Sequence, residues 1–118
     1  MNRLEVETIY KDPRLSKDDR DIGVLNHSQI DALTRELGDD WQVIDYDHLF
    51  RRFMFSDFRQ ALAFTNDVGA LAEKEGHHPD IFLGWGKVDL SLRTHSEDAL
   101  TEKDFILASK ISHLRSAV

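Results

Sequence analysis

Cysteine is absent from this sequence, which excludes disulfide staples, thiolate zinc sites and cysteine nucleophiles together. Long apolar runs are absent too. Charge interrupts each apolar stretch within a few residues, so neither a membrane span nor the apolar core of a signal peptide is legible, and the expected location is cytoplasmic. Positive charge is in short supply: 15 Lys and Arg stand against 22 Asp and Glu, a formal net charge of −7. A nucleic-acid backbone would be repelled by that average field, and no basic stripe opposes it locally. The densest basic pair, Arg51-Arg52, is expected on a solvated strand face. No nucleic-acid partner and no membrane contact are therefore expected. Only two prolines and six glycines punctuate the chain, and neither an internal repeat nor a low-complexity tract is present.

What is present is an ordinary globular composition, 41% apolar and 31% charged, over 118 residues, enough for one domain and too little for two cores. Residues 1–24 are charged around Pro13, with one short apolar alternation at Leu4 and Val6. They are expected to form a partly disordered extension, with the packed domain running over residues 25–116. The first helix is marked by a capping box, Asn26 with Gln29, by Ile30, Leu33 and Leu37 at helical spacing, and by Gly38 at the left-handed C-terminal position. Trp41 to Asp45 and His48 to Phe55 are rich in strand formers and flank a turn at Asp47, which reads as a hairpin.

The second helix opens at Ser56 or Asp57, with Asp57 and Gln60 as a second capping box. Phe58, Ala61, Leu62, Thr65, Val68, Leu71 and Ala72 are expected to trace its buried face. It should stop near Gly76, because Pro79 cannot sit inside a helix and pushes His78 toward extended geometry. A second hairpin follows, Ile81 to Leu83 and Val88 to Leu92 around Trp85-Gly86-Lys87. Alternation puts Val88, Leu90 and Leu92 on the core side, opposite Lys87, Asp89, Ser91 and Arg93. The third helix starts at Thr101, capped against Asp104, and buries Phe105, Ala108, Ile111 and Leu114. The order α-β-β-α-β-β-α predicts an α+β fold, a four-stranded antiparallel sheet with three helices on one face.

Six histidines occur, and three of them, His77, His78 and His95, lie at the two ends of the segment forming the second hairpin. The topology should bring His95 back past the exit of the second helix. Clustered imidazoles can ligate a metal or move protons near neutral pH. The metal reading is the weaker, because adjacent histidines splay apart and the i, i+4 pair of the H-E-x-x-H motif is missing. No metal and no cofactor are expected. Asp104 stands where a capping carboxylate belongs, a role that needs no chemistry. Glu73 lies in the last turn of a helix, the unfavourable end of the dipole for a carboxylate, a defect shared by Glu75. Trp85 reads as a hairpin packing residue.

Glu73, His77, His78, Pro79, Trp85, His95 and Asp104 together spell Glu-x3-His-His-Pro-x5-Trp-x9-His-x8-Asp. This resembles the signature of the pterin-4a-carbinolamine dehydratases, a family also described as dimerisation cofactors of a homeodomain transcription factor. The segments FTNDVGALAEKE (Phe64 to Glu75), HHPDIFL (His77 to Leu83) and LTEKDFILASKI (Leu100 to Ile111) are similar to that family as well. The resemblance covers roughly Asn26 to Ile111. It implies dehydration of a 4a-hydroxytetrahydropterin to the quinonoid dihydropterin, without a metal or redox cofactor. It implies a catalytic set of His77, His78 and His95, with proton transfer assigned to His77 and His95 and pterin holding or assistance to His78, support to Glu73 and Asp104, and substrate contact to Gly76, Arg93, Thr94, Ser96 and Trp85. A carboxylate at Glu73 would orient the His77 ring. A homodimer or homotetramer is implied, and some relatives are non-catalytic dimerisation or Rubisco-assembly factors. Two positions depart from the pattern. Gly76 replaces a polar or acidic residue, and Arg93 replaces a small hydroxylated one and is expected to bring a guanidinium near His95.

Overall fold

The computed structural model describes residues 23–116. Seven elements follow in the expected order: α1 (His27–Leu37), β1 (Gln42–Ile44), β2 (His48–Met54), α2 (Phe58–Glu75), β3 (Asp80–Gly84), β4 (Lys87–Leu92) and α3 (Glu102–Ser116). The four strands form one antiparallel sheet in the order β1-β2-β4-β3, so the two hairpins meet along β2 and β4, with Leu49 opposite Leu92 and Phe53 opposite Val88. The α+β architecture is as predicted. The expected extension falls mostly on residues 1–22, outside the described residues. At its edge Val24 bridges to Thr101, and the Leu25 N–H donates to the Leu100 carbonyl at 3.0 Å.

Alternation along β4 behaves as its pattern predicts: Val88, Leu90 and Leu92 are fully buried. They meet Leu49 and Phe53 of β2 and, from the helices, Ile30, Leu33, Ala61, Phe64, Val68, Phe105, Leu107, Ala108 and Ile111 in a single core. The helix α3 packs between α1 and α2 and buries residues around most of its circumference, including Asp104 and Ser109.

Capping chemistry sets the helix ends. Asn26 and Gln29 form the full capping box, each side chain taking the other's backbone N–H, at 2.9 and 2.7 Å. Asp57 caps Gln60, but the Gln60 side chain takes the N–H of Ser56 instead, so the second box is displaced by one residue. Gly76 closes α2 in the left-handed conformation, φ 66°, while the His77 N–H returns to the Ala72 carbonyl at 3.2 Å. That hydrogen bond and the Gly76 N–H to the Glu73 carbonyl, at 3.4 Å, turn the chain sharply and aim His77 back under the helix.

Three expectations need correction. Gly38 has φ 103° and ψ 179°, a region open to glycine alone, rather than the left-handed helical conformation. On α2, Phe58 and Leu62 are exposed and Phe64 is buried. At about 100° per residue, Ala61, Phe64, Val68 and Ala72 cluster in one arc from which Leu62 is turned away. Arg51 lies on the helical side of the sheet, its guanidinium 4.3 Å from the Phe53 ring and 3.2 Å from the Ser112 hydroxyl. Its aliphatic stem extends the core while the charged head reaches the rim. Arg52 does face outward and grips Asp89 through two hydrogen bonds of 2.7 and 2.9 Å.

Two outcomes follow. Gly76→Ala should destabilise the fold by roughly 1 kcal/mol, read from urea unfolding, or about 4–8 °C in Tm. A Cβ there meets nothing within 4 Å, so the whole cost is backbone conformation. An unchanged midpoint would mean that the helix exit relaxes freely. The second outcome concerns pH. The Arg52 hydrogen bonds hold the Asp89 carboxyl below its ordinary value. A carboxyl depressed on folding stabilises the protein above the ordinary range and loses that contribution as pH falls through its folded value. The gap in unfolding midpoint between wild type and Asp89→Asn should therefore be larger at pH 7 than at pH 3; an equal gap at both would contradict the assignment.

Candidate active site

The end of α2, the start of β3, the end of β4 and the start of α3 converge at one edge of the fold. Thr94, just past β4, is buried and opposes Ala99 across a short closed loop that carries His95. Thr101 caps α3, its hydroxyl accepting the Lys103 N–H at 3.3 Å while Asp104 reaches back to the Thr101 N–H at 3.0 Å. The cap expected for Asp104 is thus present, and it uses only one carboxylate oxygen. That oxygen, Oδ2, also accepts the Thr94 hydroxyl at 2.9 Å. The other, Oδ1, lies 2.6 Å from His77 Nε2. Asp104 is completely buried and the His77 side chain is 12% exposed.

Where the Asp104 carboxylate accepts, Nε2 of His77 carries the hydrogen, and Nδ1 is the ring nitrogen left without a part in this contact. Thr94 and Thr101 share a further hydroxyl hydrogen bond of 2.7 Å, which completes a network around Asp104. Glu73 does not orient His77 as expected. Its carboxylate pairs with Nε2 of His78 instead, with both side chains mostly exposed. Leaving the helix through the left-handed Gly76 turns His77 inward and His78 outward, so the adjacent rings splay and take different carboxylates.

His95 Nε2 stands 3.9 Å from the carboxylate of Asp80, two residues past His78, and its side chain is 62% exposed. This contact brings the third imidazole to the helix exit. Asp80 was not legible as a site residue, though its pairing with Ser91 on the outward face of the β3–β4 ladder is the signal that could have found it. Thr101 was legible only as a cap. Ser96 is exposed beside His95 in the loop.

Arg93 does not extend toward the histidines. Its guanidinium lies against Asp47 of the β1–β2 turn at 2.7 Å and against Asp98 at 2.5 Å, contacts that hold it above its ordinary pKa, Asp98 first. Its Nε is buried without an acceptor among the described residues. Trp85 sits in the two-residue turn joining β3 to β4, at the opposite end of that hairpin, and is 71% exposed. It neither packs nor approaches the histidines, because five strand residues separate them.

Cavities of about 450 and 610 Å³ lie elsewhere, the first against Met54, Phe64 and Arg115 and the second against Asp31, Arg35 and Tyr46. Among the described residues no group of three His, Cys, Asp or Glu side chains is disposed to hold a metal ion. No helix there is long and apolar enough to cross a membrane.

Residues 23–114 match the profile of a family described as pterin 4 alpha carbinolamine dehydratase. A protein of Alkaliphilus metalliredigens with a provisional pterin-4-alpha-carbinolamine dehydratase name is 47% identical over 92 residues, 78% of this chain and 83% of its own. One of Rubrobacter xylanophilus with the same provisional name is 47% identical over 90 residues, 76% of this chain and 83% of its own. Among solved structures, a transcriptional coactivator/pterin dehydratase from Brucella melitensis superposes with a TM-score of 0.72 at 37% identity, covering 77% of this chain and 97% of that one. A pterin dehydratase-like protein identified as a RuBisCO assembly factor in the alpha-carboxysome superposes at 0.56 with 29% identity, covering 66% and 92%.

Asp104→Asn keeps the Thr94 and Thr101 donors on its amide oxygen only by turning its NH2 to His77 Nε2, which must then accept and carry its hydrogen on Nδ1, and loss of the carboxylate's hydrogen bonds should cost about 2 kcal/mol in urea unfolding. Thr94→Val, which leaves one carboxylate oxygen with a donor fewer, should cost about 1 kcal/mol. If Asp104→Asn unfolded at the wild-type midpoint, the network would not hold this end of the fold together.

Proposed function

The chain belongs to the pterin-4a-carbinolamine dehydratase family, and from that premise we propose that it is a hydro-lyase converting a 4a-hydroxytetrahydropterin to the quinonoid dihydropterin and water, in the recycling of the pterin. The observation that carries the proposal is the His77–Asp104 contact, beside a second carboxylate-paired imidazole at His78 and a third at His95.

Loss of water from C4a needs two proton movements. One proton must reach the departing hydroxyl and another must leave N5. The C4a–O bond breaks as the N5 lone pair forms the new double bond, so no electron leaves the ring and no redox partner enters. We assign the two transfers to His77 and His95. His77, held through Nε2 by Asp104, offers Nδ1 on a ring that cannot turn. His95 sits on a loop whose ring is open to solvent and to substrate. His78, with Glu73, contacts the pterin from the side, and Thr94 acts through Asp104. In this assignment Gly76 and Ser96 border the substrate, while Arg93 and Trp85 do not touch it. The unit doing this chemistry is the domain over residues 25–116, in the cytoplasm, with residues 1–24 as an extension.

A homodimer or homotetramer fits the same reading. The strand β3 is a sheet edge with Ile81 and Phe82 exposed, and Phe58 and Leu62 stand exposed on α2. Those apolar side chains also favour a second reading, a non-catalytic assembly role for this chain, the 29% identical structural relative being identified as a RuBisCO assembly factor.

The test is a hydroxylase-coupled assay following the quinonoid dihydropterin by absorbance. Wild type should accelerate the dehydration over the spontaneous rate, and His77→Ala and His95→Ala should each lower that acceleration by about 10²–10⁴-fold. A folded wild type with no acceleration would sink the enzyme reading in favour of the assembly one. Full activity in both variants would refute the residue assignment.

A further inference from the structure

The three imidazoles are not held alike. His77 is clamped at its ring by Asp104. The His95 ring lies 3.9 Å from Asp80, beyond hydrogen-bond range, so its position is inherited from the backbone that carries it. That backbone is the loop from Thr94 to Ala99. It is closed by hydrogen bonds between those two residues, 2.9 and 3.4 Å, with Glu97 N–H donating to the Thr94 carbonyl and Asp98 N–H to the His95 carbonyl. Asp98 adopts φ 53°, a left-handed conformation unfavourable for a residue with a Cβ.

Arg93 meets this loop from inside. Nη1 donates to the Asp98 carboxylate at 2.5 Å and Nη2 to the Asp98 carbonyl at 2.8 Å, so side chain and backbone of the strained residue are gripped together. Nη2 also donates to Asp47 at 2.7 Å. Asp47 is in turn fixed in the β1–β2 turn by its N–H to the Ile44 carbonyl at 2.9 Å and by His48 Nδ1 at 3.0 Å. The anchor borders the sheet, because β2 and β4 are neighbours and their register, continued past Leu49 and Leu92, brings the turn before β2 beside Arg93.

The structure assigns to Arg93 the role of a positioning residue that ties the His95 loop to the β1–β2 turn and so sets where the His95 ring stands relative to His77. The assignment rests on the dehydratase reading for its catalytic consequence, but its structural half does not. A planar guanidinium suits the task, since its fork reaches two acceptors of one residue and a third in the β1–β2 turn, which an ammonium cannot do in fixed geometry. Arg93 therefore acts on the reaction without touching the pterin.

The experiment compares wild type, Arg93→Ser, Arg93→Lys, His95→Ala and the Arg93→Ser/His95→Ala double variant by two readouts. The first is ¹⁵N relaxation of the amides of residues 95–98. In Arg93→Ser their order parameters should fall from values near 0.85 to below about 0.6, with the His77 amide unchanged. The second is the coupled assay. Arg93→Ser should lower kcat by roughly 10- to 100-fold with little change in KM, Arg93→Lys should recover part of the loss, and the double variant should be no slower than His95→Ala, because the two act through one ring. An ordered loop in Arg93→Ser overturns the proposal whatever the activity. So does a raised KM with intact kcat, the mark of a direct substrate ligand, or a double variant whose losses simply add. If wild type is inactive in the assay while the loop still loosens, the dehydratase reading fails and the clamp stands.

Discussion

One buried carboxylate organises this end of the molecule. Taking an ionised Asp104 out of water is costly unless every lone pair that faces protein finds a donor. Here the donors are three: the Thr94 hydroxyl and the Thr101 N–H on one oxygen, His77 Nε2 on the other. The N-terminus of α3 adds a favourable dipole, since Asp104 lies in its first turn. A carboxylate that starts a helix and fixes an imidazole cannot be changed for one purpose alone. Stability and the orientation of His77 are properties of the same hydrogen bonds.

The outer pairs have a different character. His78 with Glu73 and His95 with Asp80 are exposed on both sides, and ion pairs in that setting contribute little to folding. They are free to rearrange around a ligand at small cost, whereas His77 is not. In the proposed reaction this separates a ring held by its own carboxylate from two whose carboxylate contacts can give way, and for His95 it leaves placement to the backbone loop that the proposal ties to Arg93.

Much of this was readable in the chain because local chemistry decided it. Asn26 with Gln29, Gly76 before Pro79, and the alternation Val88, Leu90, Leu92 each act within a few residues, and the elements they mark appear where expected. What was not readable depends on how elements meet. The exchange of carboxylates, Asp104 for His77 and Glu73 for His78, follows from the direction in which a left-handed glycine turns the chain. The retreat of Arg93 from the histidines follows from the adjacency of β2 and β4, which places Asp47 beside it from 46 residues away. Arg51 and Arg52 look identical in sequence, yet the strand's alternation sends one over Phe53 and the other to Asp89. Trp85, a fixed point of the motif, sits at the far end of its hairpin with no site contact, and nothing in the structure explains it.

A fold of this kind separates what stability requires from what chemistry requires. Asp104, Thr94 and Thr101 would be favoured in a scaffold with no activity, since they cap a helix and satisfy one another. His78 and His95 are not explained in that way. Their rings are mostly in solvent, bury little apolar area and complete no backbone hydrogen bond, so their loss would scarcely be felt by the fold. An assembly factor using the exposed apolar side chains of β3 and α2 would have no physical need for them. In the proposed reaction these exposed imidazoles stand beside the His77–Asp104 contact as groups that a scaffold alone does not require.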